Sequence, residues 1–271
     1  MGKIEIIEKY SISKYNRNNL NEDGFFINNS FVAVVDGATS KTGIVTNGKT
    51  GGQILRDNIL NVISNFPFDI CCIDAVKKIQ NQLICDAPVE LIGRAAASAI
   101  IYSVERHEIW AVGDCQMLVG ETEYTFKKKI DELLAELRSF AIRAFIKKGK
   151  SIYELQERDL ARELIQPFLL LQSEFENEED YYGYCVFNNF TTIDRFPYSK
   201  VNIITIEQGM IVLASDGYPK LKKSFNESEK FLKEVIERDP LCYIENSGTK
   251  GIYINNNSYD DRTYVRFRIV D

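Results

Sequence analysis

Apolar and polar residues alternate along Lys3 to Ile12, and the run reads as a strand. Residues 24 to 37 read as a hairpin turning near Asn28-Asn29-Ser30. From Thr46 to Asn65 the period becomes helical, with Ile54, Leu55, Ile59, Val62 and Ile63 on one face, and a second helix covers about 73 to 85. Strand-like runs return at 94–104, 108–113 and 116–120. Phe126 to Lys148 is strongly amphipathic: Ile130, Leu133, Leu134, Leu137, Phe140, Ala141, Ala144 and Phe145 form a stripe. Gly149 ends it, and Ser151-Ile-Tyr-Glu154 is a capping box for a helix predicted to reach about Gln166, where Pro167 restricts continuation. An acidic loop (174–180), strands at 182–187, 201–206 and 210–215, a helix at 227–238 and a strand at 262–270 complete the chain. This grouping of strands and helix pairs predicts an α+β antiparallel sandwich rather than a doubly wound parallel sheet.

Several of these strands deliver acids at one end. Phe31-Val-Ala-Val-Val-Asp36-Gly37 and Met210-Ile-Val-Leu-Ala-Ser-Asp216-Gly217 both stop at Asp-Gly; Glu108-Ile-Trp-Ala-Val-Gly113-Asp114 stops at an acid; Asp260-Asp261 begins the last strand. In an antiparallel sheet the end of one strand lies beside the start of its neighbour, so these acids can share an edge. A loop of residues 28–30 sets Glu22 against Asp36, and a two-residue loop sets Asp23 there instead. Carboxylates so close repel, and a hard cation such as Mg²⁺ or Mn²⁺, which takes oxygen ligands, relieves the repulsion.

Composition narrows the partners. At 271 residues with 45% hydrophobic content, one large domain is expected. A net charge of −6 argues against nucleic acid or an anionic membrane as the main partner. No apolar stretch approaches ~18 residues, and Met1-Gly-Lys-Ile-Glu lacks a signal-peptide layout, so a cytoplasmic protein is expected. Ile6 stands where a myristoylation start needs Ser or Thr. Six cysteines without a Cys-x-x-Cys pair read as reduced thiols, and His107 reads as an exposed turn residue. Gly43 to Thr50 matches Gly-x-x-x-x-Gly-Lys-Thr, but a P-loop leaves its strand directly, whereas this strand ends at Asp36. Lys41 and Lys49 are then solvated lysines or substrate-side cations.

Asn21-Glu22-Asp23, Val34-Val35-Asp36-Gly37, Ala111-Val112-Gly113-Asp114, Leu213-Ala214-Ser215-Asp216-Gly217 and Asp260-Asp261-Arg262-Thr263, in that order, resemble the metal-dependent Ser/Thr protein phosphatases of the protein phosphatase 2C type. The resemblance runs from about 21 to 269. It implies a four-layer αββα sandwich of two antiparallel sheets flanked by helices, with residues 126–172 replacing or extending the family's flap. It also implies two Mn²⁺ or Mg²⁺ ions about 3.5–4 Å apart. Asp36 would bridge them and the Gly37 carbonyl would add a ligand; Asp216 and Asp261 would hold one ion, and Glu22 or Asp23 the other. Asp114 matches the acid of a third, weaker site. The activity implied is hydrolysis of phosphoserine or phosphothreonine in proteins by a water bridging the two metals, with Asp36, Asp216 and Asp261 as the catalytic acids.

The departures lie on the substrate side. Ala38 follows Asp36-Gly37, so no histidine can be the general acid there. The family's phosphate-binding arginine lies four residues before the first acid, whereas Arg17 lies five before Glu22; Arg94 is a nearby substitute. Lys250, in Gly248-Thr-Lys-Gly251, could meet a substrate phosphate or belong to a plain turn. Besides the protein phosphatase, two other readings are a catalytically silent scaffold that binds a phosphoprotein, to which the displaced Arg17 points, and a small-molecule phosphoesterase. The 126–172 helices offer a surface for a protein partner.

Overall fold

The computed structural model describes residues 3–15, 17–38, 43, 45–86 and 88–270, with the backbone alone at Asn18. In chain order the elements are β1 (Lys3–Ile12), β2 (Asp23–Ile27), β3 (Phe31–Gly37), β4 (Val45–Thr46), β5 (Lys49–Thr50), α1 (Gly51–Ser64), α2 (Cys72–Asp86), β6 (Ala96–Ser103), β7 (Glu108–Val112), β8 (Gln116–Val119) and β9 (Thr122–Tyr124). Then come α3 (Lys129–Lys147), α4 (Ile152–Glu157), α5 (Leu160–Leu171), β10 (Phe187–Asn188), β11 (Asn202–Thr205), β12 (Gly209–Ala214), α6 (Phe225–Arg238) and β13 (Arg262–Val270).

Two antiparallel sheets stack. One has the order β1-β13-β12-β8-β9; the other runs β11-β7-β6-β3-β2, with β10 pairing the far end of β6. Alternation along β3 divides the core. Phe31, Ala33 and Val35 pack against α1 and α2 through Leu55, Ile59, Ile63 and Ile79. Val32 and Val34 point the other way, to Met117, Leu213, Val265 and Phe267 between the sheets. On the outer side of the five-stranded sheet, Val212 and Tyr264 meet Leu232 of α6. The result is the expected layering: helices, sheet, sheet, helix.

Boundaries moved where side chains compete with the backbone. The predicted helix at 46–65 starts only at Gly51, because Thr50 accepts from Gln53 N as an N-cap and residues before it form the β4–β5 ladder. That ladder occupies the last residues of the P-loop match; Thr39 to Thr42 and Ile44, and with them Lys41, lie outside the described residues. Lys49 pairs with Asp57. The helix predicted from Ser151 to about Gln166 is two helices: α4 ends at Glu157 and Asp159 caps α5 by accepting from Arg162 N. Pro167 lies inside α5 rather than after it. Its missing N–H removes one helical bond, and burial of Ala161, Ile165 and Leu169 against α3 outweighs that loss. Of the strand predicted at 182–187 only Phe187 joins a ladder, with Asn188 beyond it, and Tyr184 forms an isolated bridge to Glu176.

Candidate functional site

The hairpin register decides which acid meets Asp36. Asn28 Oδ1 accepts from Ser30 N (2.8 Å) and Phe31 N (2.7 Å), and Asn28 N donates to the Phe31 carbonyl (3.0 Å), so the loop is the two-residue version. Counting back, Asp23 stands opposite Asp36. Glu22 sits one residue off, buried, its carboxylate accepting from the Thr50 hydroxyl (2.6 Å) and from Lys14 Nζ (3.5 Å). Gly37 is needed for close approach: a Cβ there would lie 2.3 Å from the Gly52 carbonyl oxygen and 2.8 Å from that of Glu22. The Asp-Gly pair therefore combines a ligand-bearing strand end with a tight seat for the start of α1.

Asp216 follows β12, whose end is pinned to β13 by Ser215 N donating to the Thr263 carbonyl and Thr263 N donating to Ser215 Oγ. Its carboxyl shares the cleft with that of Asp36, close enough for each to affect the other's proton affinity, although the two residues are 180 positions apart and stand at the ends of strands of different sheets. Asp23 is buried beside them, with Oδ2 lacking a hydrogen-bond partner. All three carboxyls titrate well above the ordinary carboxylate range. Burial and then the Asp261 charge raise Asp23; burial and then Asp23 raise Asp36; desolvation in the cleft and then Asp36 raise Asp216.

Asp114 and Asp260 complete the acidic wall of a cleft of about 410 Å³, which Asp36, Asp216, Lys128 and Lys250 also line. Gly113, at φ +87°, turns the chain against Ser98, whose hydroxyl donates to Asp114 (2.6 Å). Lys128 Nζ lies 2.7 Å from Asp114 and 5.1 Å from the Tyr184 ring centroid. Burial opposes ionisation of Asp114, but the Lys128 charge together with hydrogen bonds from Lys128, Ser98 and its own backbone N–H lowers its pKa. Asp260 is held by Lys14 (3.2 Å) and by Lys250. Burial again opposes ionisation, and the two ammonium groups prevail, bringing Asp260 down to about 2.

Asp261, expected as a ligand, does not line the cleft. It is buried, with Oδ1 accepting from Lys14 N (2.7 Å) and Ser13 Oγ (3.3 Å) and Oδ2 from Glu22 N (2.8 Å). It braces the end of β1 and the start of β2 against β13, and Asp260 presents its carboxylate to the cleft instead. Alternation contained the signal: Val265, Phe267 and Ile269 face the inter-sheet core, and Asp261 continues that inward row. Arg17 is exposed and is not among the residues lining the cleft, whereas Arg94 is. Lys14 and Lys128 were not singled out from the sequence; Lys14 breaks the alternation just past β1, the one hint available. Lys250 is carried by a loop tied to the helical segment. Arg138, fully buried and paired with Asp159, donates to the carbonyls of Leu241 (2.8 Å) and Gly248 (3.0 Å), and Arg162 donates to that of Thr249 (2.6 Å).

As a cation site the donor set is all oxygen, mutually repelling, and includes a buried carboxylate oxygen without a partner, which fits a hard divalent ion. Among the described residues no three such side chains already surround a common point. Lysines instead neutralise the acids on the loop side.

No protein-family model matches the chain, and no curated protein matches it. Solved structures do. The catalytic domain of the serine/threonine protein phosphatase PstP, crystallised with two manganese ions, is 11% identical, with 100% of each chain covered and a TM-score of 0.51. PppA of Pseudomonas aeruginosa, a key regulatory component of T6SS, is 10% identical over 99% of this chain and 98% of that one, with a TM-score of 0.49. The Mycobacterium tuberculosis phosphatase PstP/Ppp is 12% identical over 98% of both chains, at 0.47. The likeness to the manganese-bound PstP domain is one of fold: the chain has the protein phosphatase 2C fold, as the motif order implied.

Proposed function

We propose that the chain is a divalent-cation-dependent phosphatase acting on phosphoserine or phosphothreonine in proteins. The observation that carries this reading is the meeting of Asp36 and Asp216, from the ends of strands in opposite sheets, with Asp23 directly across the ladder. Three acids brought together here, Asp23 buried, Asp36 half-buried and Asp216 exposed to the cleft, repel one another, and a proton or a cation relieves them. Asp36, Asp216 and Asp260 would hold one ion, and Asp36, the Gly37 carbonyl and Asp23 or Glu22 a second. Bound there, Mn²⁺ or Mg²⁺ supplies an activated water and offsets charge on the phosphoryl oxygens.

The chain's own residues do the rest. Lys250 and Arg94 line the cleft and present positive charge to an incoming phosphate, the role that the exposed Arg17 cannot fill from its position. Lys128 supplies at Asp114 the charge that a third cation would bring. The protein nature of the substrate rests on the fold it shares with PstP, a serine/threonine protein phosphatase.

A second reading, a silent scaffold that binds a phosphoprotein, is favoured by the lysines seated on Asp260 and by the absence, among the described residues, of a closed ligand set. Assays with Mn²⁺ on p-nitrophenyl phosphate and on a phosphothreonine peptide separate the two. Turnover of both supports the phosphatase; peptide binding without turnover supports the scaffold; turnover of the small ester alone points to a small-molecule phosphoesterase.

A further inference from the structure

We propose that the outward face of the α3–α5 pair is the interface of a twofold-symmetric dimer of this chain. The two helices run antiparallel: Ile130 and Leu134 meet Ile165 and Leu169, while Ala141 and Ile142 meet Ala161. The burial pattern leaves Leu133, Leu137 and Phe140 on α3 and Leu164, Phe168 and Leu171 on α5 exposed, from 36% at Leu137 to 70% at Phe140. On a helix of 3.6 residues per turn each trio forms one stripe, and both stripes lie on the side of the pair away from the sheets. Six large apolar side chains in one patch exceed the scattered exposure normal for a monomer surface.

Two observations point to a second copy as the occupant. The first is area: the stripes offer on the order of 600 Å² per copy, near the ~800 Å² each partner gives to a stable interface, with flanking polar residues adding to it. The second is charge. Along the rim of the α3 stripe the exposed residues Glu132 and Glu136 precede Arg143 and Lys147, the Arg143 guanidinium resting on the Tyr243 ring. A twofold axis crossing α3 between Ser139 and Phe140 sets Glu132 against Lys147 of the partner subunit and Glu136 against Arg143 of the partner subunit. Both pairs centre on the same point, so one antiparallel register satisfies both, as an isologous contact requires. Phe140 and Leu137 then lie at the middle of the seam.

Sedimentation velocity of the full chain at about 50 µM, a concentration that populates a dimer of micromolar affinity, is the test. The wild type is expected as a dimer and Phe140→Glu as a monomer with unchanged thermal unfolding of the subunit. Glu132→Lys with Glu136→Lys should weaken association at least about tenfold, and adding Arg143→Glu with Lys147→Glu should restore it. A monomeric wild type would overturn the proposal and leave the face to a partner of other sequence. A dimer indifferent to both Phe140→Glu and the charge reversal would overturn it as well.

Discussion

On the strand side of the cleft, Asp23 and Asp36 face each other across the β2–β3 ladder with Asp216 beside them, and the charges that dominate their surroundings are acidic. On the loop side, Asp114 and Asp260 each touch at least one ammonium group, from Lys128, Lys14 or Lys250. The same residue type thus titrates upward on one side and downward on the other. The ammonium groups of Lys14, Lys128 and Lys250 sit on Asp260 and Asp114 rather than on Asp23, Asp36 or Asp216, whose relief comes from a proton or an added cation. Loops can carry a lysine to the acid, and here they do.

The largest expected effect comes from the strand side. Asp36→Asn and Asp216→Asn should each lower Mn²⁺-dependent turnover of p-nitrophenyl phosphate by at least about 100-fold, the scale on which charge-stabilising groups act. Because desolvation and mutual repulsion disfavour the ionised forms of these carboxyls in the cation-free protein, the neutral amides should leave its thermal unfolding intact or raise its midpoint. Wild-type rates in either variant would remove the site.

Asp261→Ala should behave differently from Asp260→Asn. The first leaves the Ser13 hydroxyl and the backbone N–H groups of Lys14 and Glu22 without their acceptor and should cost about 3 kcal/mol in urea unfolding. The second should spare stability and reduce turnover. Equal loss of activity at unchanged stability in both would restore Asp261 to the ligand set.

The two sides also predict opposite pH dependences of stability without cations. Asp36 and Asp216, raised in the folded state, contribute most below the ordinary carboxylate range and lose that contribution as pH rises through their elevated values. Asp260, lowered to about 2, contributes above the ordinary range and loses its share as pH falls towards 2. Chelator-treated protein should therefore lose thermal stability as pH rises above the ordinary carboxylate range, and Asp36→Asn should flatten that decline. An identical decline in the variant would contradict the assignment.

The smallest effect belongs to the lysine that competes for a ligand. Lys250→Met frees Asp260 from one ammonium group, so Mn²⁺ should bind about fivefold more tightly, the worth of ~1 kcal/mol for a partly exposed pair. The Michaelis constant for p-nitrophenyl phosphate should rise in the same variant, since Lys250 lines the cleft and is proposed to meet the phosphate there. Unchanged values of both would assign Lys250 to a plain turn.

The sequence carried the sandwich because alternation and helical period are local signals, and β1, β3, β7 and α3 fall close to where those signals put them. It carried Asp36, Asp216 and Asp114 for the same reason: each closes an apolar run. The choice between Glu22 and Asp23 depended on whether Asn28 would fold its side chain back onto the turn, which no periodicity reports. The choice between Asp260 and Asp261 was legible in the inward row of β13, but adjacent acids mask it. Lys14, Lys128 and the arginines of α3 and α5 meet their partners over long sequence separations, and those meetings exist only in the folded chain.

Titration calorimetry of Mn²⁺ into the chelator-treated chain, in two buffers of different ionisation enthalpy, tests the central claim most directly. Binding is expected with release of protons from the Asp36–Asp216 pair, lost in the double variant Asp36→Asn with Asp216→Asn. Absence of binding in the wild type, or equal heats in the double variant, would contradict it.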